Sequence, residues 1–172
     1  VFFHVRNLAL KPVRFDVKLE PGTLDFLDPK IRQKGPLQAV GQVSLVSDML
    51  AEIRVAGHLK AEMEADCDRC LEPAPYPVEG DFELVYRPLE EGLGEEHPVD
   101  PEEAEIGFYE GDGVELNDAL REYVLLALPM RRLCSETCKG LCPVCGQNRN
   151  QQACQCQSEA LDDRWAALKQ LR

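Results

Sequence analysis

Apolar and polar residues alternate with a period of two along much of the first 87 positions. Successive side chains of a strand point to opposite faces, so the alternation predicts half-buried β-strands. Val13, Phe15, Val17 and Leu19 hold one parity while Arg14, Asp16, Lys18 and Glu20 hold the other. A longer series runs through Ile53, Val55, Gly57, Leu59, Ala61, Met63, Ala65 and Cys67, against Glu52, Arg54, His58, Lys60, Glu62, Glu64 and Asp66. Fifteen residues in this series would extend about 50 Å, longer than an ordinary strand, so a bend or bulge is expected near Gly57. Val43 and Leu45 alternate with Gln42 and Ser44, and Ser47-Asp48 reads as the turn joining two antiparallel strands. Tyr76, Val78, Phe82, Leu84 and Tyr86 share a parity further on. The expected product is a half-buried antiparallel sheet, of a kind that can curl into a partial barrel.

The period lengthens only later. Leu116, Leu120, Tyr123, Val124, Ala127 and Leu128 form one face of a helix, with Asn117 or Asp118 as its cap and Pro129 as its stop. A short amphipathic helix is expected over about 163–171, capped by Asp162 and carrying Trp165 and Leu168 beside Leu161. The chain therefore reads as α+β in four parts. These are an antiparallel, barrel-like β domain over 1–87, an acidic loop or linker over 88–105, a strand and helix packing on the sheet over 106–130, and a Cys-rich zinc segment with a terminal helix over 131–172. At 172 residues, one domain can bury roughly two thirds of its unfolded surface without covalent staples.

The formal net charge of -12 is local. Residues 1–80 hold 10 basic and 12 acidic side chains, residues 81–120 hold one and 14, and residues 121–172 hold 8 and 5. Acidity peaks between Glu90 and Glu103, where Gly, Pro and like charges favour a solvated segment, either a solubilising linker or an arm for a basic partner. The longest apolar run, Val124–Met130, is far short of the roughly 18 residues a membrane span requires. Val1-Phe2-Phe3-His4 lacks the leading charge and cleavage site of a secretory signal, so a cytoplasmic protein with no membrane partner is expected.

Eight cysteines in a reducing compartment point to metal or redox chemistry rather than disulfides. Six of them, Cys134, Cys138, Cys142, Cys145, Cys154 and Cys156, fall within 23 residues. Zinc takes four thiolates in a tetrahedron, and a Cys-x2-Cys turn closed by glycine sets two sulfurs on one ion while its N–H groups point at them. Cys142, Cys145 and Gly146 fit that turn, and Cys154 with Cys156 closes the set across 147–153. Cys67 and Cys70, at the end of the long strand, can join Cys134 and Cys138, just after the helix, in a second four-thiolate site. Mixed sets, with Cys138 in place of Cys154, also satisfy the spacing. The expected cofactor is Zn2+, one ion in the first set and a second in the other.

A thioredoxin-like role for Cys67 and Cys70 needs a helix that Leu71–Pro77, with its three prolines, cannot form. Each closed zinc site carries a net charge of about -2, so Arg131, Arg132, Lys139 and Arg149 serve either to neutralise thiolates or to contact RNA phosphates. No P-loop, dinucleotide-binding, H-E-x-x-H or G-x-S-x-G motif occurs, and His4, His58 and His97 are scattered. Four thiolates leave zinc no open position for hydrolysis, so no catalytic residue and no small-molecule substrate are expected.

Four blocks in order carry a family resemblance. Ala65–Leu71, with Cys67-Asp68-Arg69-Cys70, is followed by Leu116–Glu122 leading to Leu126-Ala127-Leu128-Pro129, then by Cys134–Gly146 and the closing Leu161–Leu171. Together they resemble the YceD family of large ribosomal RNA subunit accumulation proteins, along the whole chain. One departure is Asp163, where Pro is common after Asp. The resemblance implies a non-enzymatic role in 23S ribosomal RNA accumulation, through RNA processing or large-subunit assembly, with a ribosomal RNA precursor or a large-subunit ribosomal protein as partner. It matches Cys67 and Cys70 to the family's first cysteine pair and the other six to its C-terminal set, whose number varies among members. Readings from other classes are a zinc-ribbon regulator binding DNA or the transcription machinery, for which no basic recognition helix is evident, and a thiol switch that loses metal on oxidation.

Overall fold

A computed structural model describes residues 1–47, 49–89 and 106–156. Its elements run β1 (Phe2–His4), α1 (Val5–Leu8), β2 (Val13–Leu19), β3 (Ile31–Gln33), β4 (Leu37–Ser47), β5 (Glu52–Asp66), β6 (Pro73–Pro88), β7 (Ile106–Tyr109), β8 (Gly113–Glu115) and α2 (Leu116–Ala127). One sheet has the order β2-β4-β5-β6-β7, with β3 also paired to β5, and β1 pairs with β8 in a separate ribbon. β4 covers β5 as far as Lys60, and β3 takes over from Met63 to Ala65.

Two expectations need correction. The sheet does not close into a barrel, because its outer strands β2 and β7 are not paired with each other. Within 1–87 every strand pairing is antiparallel, and the strand beyond the acidic segment adds a parallel pairing, Ile106–Tyr109 along Val85–Pro88. The described residues hold helices of only 4 and 12 residues, so the fold is largely β rather than α+β. The acidic segment 90–105, Asp48 of the expected turn, and the terminal helix with Asp162 and Trp165 lie outside the described residues.

β5 and β6 form one long hairpin whose register runs unbroken from Ile53 opposite Tyr86 to Asp66 opposite Pro73. No bulge occurs at Gly57; the irregularity falls between Leu45 and Ser47 of β4 instead. The reason lies across the strands. Phe15, Gly41, Gly57 and Phe82 stand in one row, each opposite the next. A Cβ on Gly41 would lie 2.7 Å from Phe15 Cζ and 2.2 Å from the Ala56 carbonyl oxygen, so the missing side chains make room for close backbone approach and for a ring. The glycines thus fill a packing requirement without breaking the strand. Pro73, Pro75 and Pro77 occupy alternate positions of β6, so all three missing N–H groups fall on one side of the strand. β5 bonds the other side, and β7 pairs only from Val85 onward.

The alternation puts Leu37, Ala39, Val43, Ile53, Val55, Leu59, Ala61 and Met63 on the buried face. The opposite face is wet and carries the cross-strand ion pairs Arg54–Glu83 and Lys60–Glu79, with His58 Nδ1 2.8 Å from Asp81 Oδ1 between them. α2 contributes buried Leu116, Ala119, Leu120 and Val124 to the same core, each large aliphatic chain adding roughly 1.5–3 kcal/mol. Tyr123 sets its ring 5.0 Å from that of Phe82. The helix begins earlier than expected. Its N-cap is Glu115, with no side-chain cap bond, because β8 runs directly into the first turn and places Asn117 and Asp118 inside it. Leu128 is extended, as the residue before Pro129 must be, and the helix stops there.

Candidate metal centres

The tip of the β5–β6 hairpin is the turn Cys67-Asp68-Arg69-Cys70-Leu71-Glu72. The Cys67 N–H donates to the Glu72 carbonyl at 2.9 Å, and the Leu71 N–H donates to the Cys67 carbonyl at 2.9 Å. The same turn recurs at the second Cys-x2-Cys. There the Cys142 N–H donates to the Gln147 carbonyl at 2.8 Å and the Gly146 N–H to the Cys142 carbonyl at 2.9 Å. In both turns the residue after the second cysteine is left-handed, Gly146 at φ 72° and Leu71 at φ 61°. Glycine adopts that conformation freely, and leucine does so at a cost. The equivalence of Leu71 and Gly146 was hidden in the sequence, because the usual glycine signal is missing from the first turn.

Turn N–H groups aimed at the first sulfur of each pair favour its thiolate. Burial pushes the Cys67 thiol up, but backbone N–H groups of Cys134, Arg69 and Cys70 outweigh it and pull the thiol down to about 6. Cys142 falls to about 6 through the N–H groups of Cys145 and Val144. Their neighbours move the other way. Cys70 is pushed up to about 12 by burial and the surrounding thiols, and Cys156 to about 12 by Cys145 beside it. Four sulfurs crowded together cannot all ionise without a cation among them.

The other half of the first cluster arrives from beyond Pro129. The Arg132 N–H donates to Asp68 Oδ2 at 2.7 Å, the Asp68 N–H donates to the Arg132 carbonyl at 2.8 Å, and the Tyr76 hydroxyl donates to the Leu133 carbonyl at 3.0 Å. These bonds lay Cys134 and Cys138 against the hairpin tip. Cys67 and Cys138 sulfurs stand 3.8 Å apart, and Cys70 and Cys134 sulfurs 3.6 Å apart. A tetrahedral ion with sulfurs at about 2.3 Å spaces them by about 3.8 Å, so these two separations suit a tetrahedral metal ion and are far too wide for a disulfide bond. All eight cysteines are free.

The cysteines fall into two sets of four, Cys67, Cys70, Cys134 and Cys138, and Cys142, Cys145, Cys154 and Cys156, the sulfurs of each lying within 4.8 Å of one another. The mixed set with Cys138 in place of Cys154 is not the arrangement adopted. Cys67, Cys70 and Cys138 are buried and Cys134 is exposed. In the second set Cys142 alone is buried. Arg132 is occupied by Asp28 and Asp68, and the Arg69 guanidinium donates to the Cys138 carbonyl at 2.8 Å, so both brace the backbone that carries the sulfurs. Arg131, Lys139 and Arg149 are exposed. Braces that the sequence did not single out include Asp68, Arg69, Glu72 and Asn150; no local pattern marks them.

An open, largely antiparallel sheet whose longest hairpin ends in a four-cysteine cluster, with a second cluster on a short polar ribbon, defines a β protein whose sulfurs are grouped as metal ligands are. Comparison with known proteins gives the particular family. The chain belongs to the family described as large ribosomal RNA subunit accumulation protein YceD, which matches residues 55–172 and so includes all eight cysteines. It is 26% identical over 171 residues to the uncharacterized protein YlbN of Bacillus subtilis, covering 98% of this chain and 93% of that one. It is 26% identical over 143 residues to the chloroplastic large ribosomal RNA subunit accumulation protein YCED homolog 1 of Arabidopsis thaliana, covering 70% of this chain and 44% of that one. An uncharacterized protein of Mycobacterium bovis is 29% identical over 119 residues, covering 69% of this chain and 55% of that one. No solved structure matches.

Proposed function

We propose that this protein is a non-enzymatic, cytoplasmic factor for accumulation of 23S ribosomal RNA, acting in RNA processing or in assembly of the large ribosomal subunit. Its partner is a ribosomal RNA precursor or a large-subunit ribosomal protein. Two zinc ions, one in each four-cysteine set, order the hairpin tip and the C-terminal ribbon. Membership of the YceD family is the observation that carries the ribosomal reading. The spacing of sulfurs at 3.6 and 3.8 Å supports the metal. Zinc held by four thiolates has no open position, so its contribution is to hold the ligands' backbone in place and not to activate water.

A DNA-binding zinc ribbon receives no support from the described residues. Their one long helix, α2, carries Asp118, Glu122 and Arg121 and turns its apolar side into the core. Depletion in cells followed by ribosome gradients tests the proposal: large subunits fall and unmatured 23S RNA accumulates. A gradient profile and 23S ends unchanged by depletion would remove the ribosomal reading. Elemental analysis of the purified chain checks the metal, and an iron-loaded or metal-free protein rejects zinc.

A further inference from the structure

The two cysteine sets are not independent of one another. The segment that bears the second set returns after Gly146, and its loop meets the first set at several points. Asn150 Nδ2 donates to Cys138 Sγ at 3.2 Å, while Asn150 Oδ1 accepts from the Lys139 N–H at 2.7 Å. One side chain thus grips both the sulfur of a first-set cysteine and the backbone next to it. The Leu141 N–H, one residue before Cys142, donates to the carbonyl of Arg69 inside the first turn at 3.0 Å. Glu72, which closes that turn, accepts from Asn148 at 3.4 Å and from Gln151 at 3.2 Å. The Arg149 N–H returns to the Gly140 carbonyl at 2.9 Å, and Leu141 bridges Asn148.

We infer that the two sets form one linked two-zinc unit, in which filling of the second set presents Asn150 to Cys138 and raises the affinity of the first, so that the two ions load cooperatively. The inference rests on the zinc reading given above. An N–H donated to a ligating thiolate stabilises its charge and fixes its orientation, and loss of such a supporting partner typically costs 10–100-fold in metal affinity. The loop 146–152 is polar and none of its residues is buried, so beyond its backbone bonds to Gly140 and Leu141 its order draws on the metal between Cys142, Cys145, Cys154 and Cys156. Without that metal, Asn150 and the donors to Glu72 are not held in place. The coupling is reciprocal. A filled first set holds Arg69 and Glu72 as a template for the ribbon, and strengthens the second set by the same factor.

Zinc titration of the full chain in a competing chelator, read by native mass spectrometry, counts chains with zero, one and two ions. Cooperative loading leaves the one-zinc species well below its statistical half at the midpoint. Two zinc ions with a one-zinc population that Asn150→Ala leaves unchanged overturn the coupling while leaving the zinc reading intact. Fewer than two at saturation overturns the zinc reading and the coupling with it. Asn150→Ala still binds two ions in excess zinc, but its one-zinc species rises above the parent's and the first set weakens about 10–100-fold. Cobalt(II) in place of zinc gives a second readout, since thiolate charge-transfer bands report each set as it fills. Cys156→Ser lowers the first set's affinity by a similar factor; an unchanged first set in that variant also overturns the coupling.

Discussion

Gly140, which packs on the first turn, and Gly146, within the second, offer a matched test of what a left-handed glycine contributes. Both are left-handed, at φ 70° and 72°, but they differ in what an added methyl group meets. At Gly146 a Cβ finds nothing within 4 Å, so Gly146→Ala adds backbone strain alone. An L-residue in the left-handed region costs about 1–2 kcal/mol, and the stiffer unfolded chain returns about 0.4–1 kcal/mol. The balance is a loss of roughly 1 kcal/mol, or about 2–4 °C in the melting temperature of a chain this size. At Gly140 the Cβ would lie 3.0 Å from the Arg69 carbonyl oxygen and 3.4 Å from Arg69 Cβ, inside the first turn. That backbone cannot swing aside without moving Cys67 or Cys70, so overpacking adds about 1–3 kcal/mol and the total becomes roughly 2–4 kcal/mol. Thermal unfolding of the zinc-saturated variants measures both. Equal losses, or a neutral Gly146→Ala, would refute the reasoning.

Cys67→Ser and Cys145→Ser each reduce bound zinc in excess metal from two ions to one per chain by elemental analysis; two ions retained in either variant contradict the grouping. Gly57→Ala drives a Cβ to 2.3 Å from the Val40 carbonyl oxygen in mid-sheet, and a loss of at least about 3 kcal/mol is expected in denaturant midpoints. Tyr86→Phe removes the 2.6 Å bond to Glu122 and costs about 1 kcal/mol at neutral pH. Burial, then Glu122, holds the Tyr86 phenol protonated above its ordinary value of 10.0, whereas the unfolded chain ionises there. Stability is therefore complete below pH 10 and falls as pH rises beyond it, less steeply in Tyr86→Phe than in the parent. Tyr76 and Tyr109, whose phenols burial also raises, keep part of that slope in the variant, and identical alkaline limbs would exclude Tyr86 as a contributor.

Much of the sheet was legible in the chain because alternation is local. A period of two places Ile53, Val55, Leu59, Ala61 and Met63 on one face whatever their partners, and the structure buries all five. The stop at Pro129 was legible for the same reason, since a proline constrains the residue before it. Asn117 and Asp118 do not cap the helix, because the entry of β8 into α2 and not a side-chain bond sets where it starts. Spacing puts Ala127 on the apolar face, yet it is exposed, while Ala119 is buried.

By itself, the sequence determined which segments alternate and that Cys67 with Cys70, and Cys142 with Cys145, sit on single turns, because both depend on neighbours a few residues away. The tertiary structure alone decided that the sheet stays open, that β7 lies parallel to β6, and that opposed Gly41 and Gly57 keep β5 unbroken. It also decided which distant pairs share a cluster, bringing Cys134 and Cys138 to sulfurs 64 and 71 residues away in sequence. Spacing cannot specify such a meeting, since closing a long loop costs nearly the same entropy for several pairings. What selects one is the contact made on arrival, here Arg132 against Asp68 and Tyr76 against Leu133.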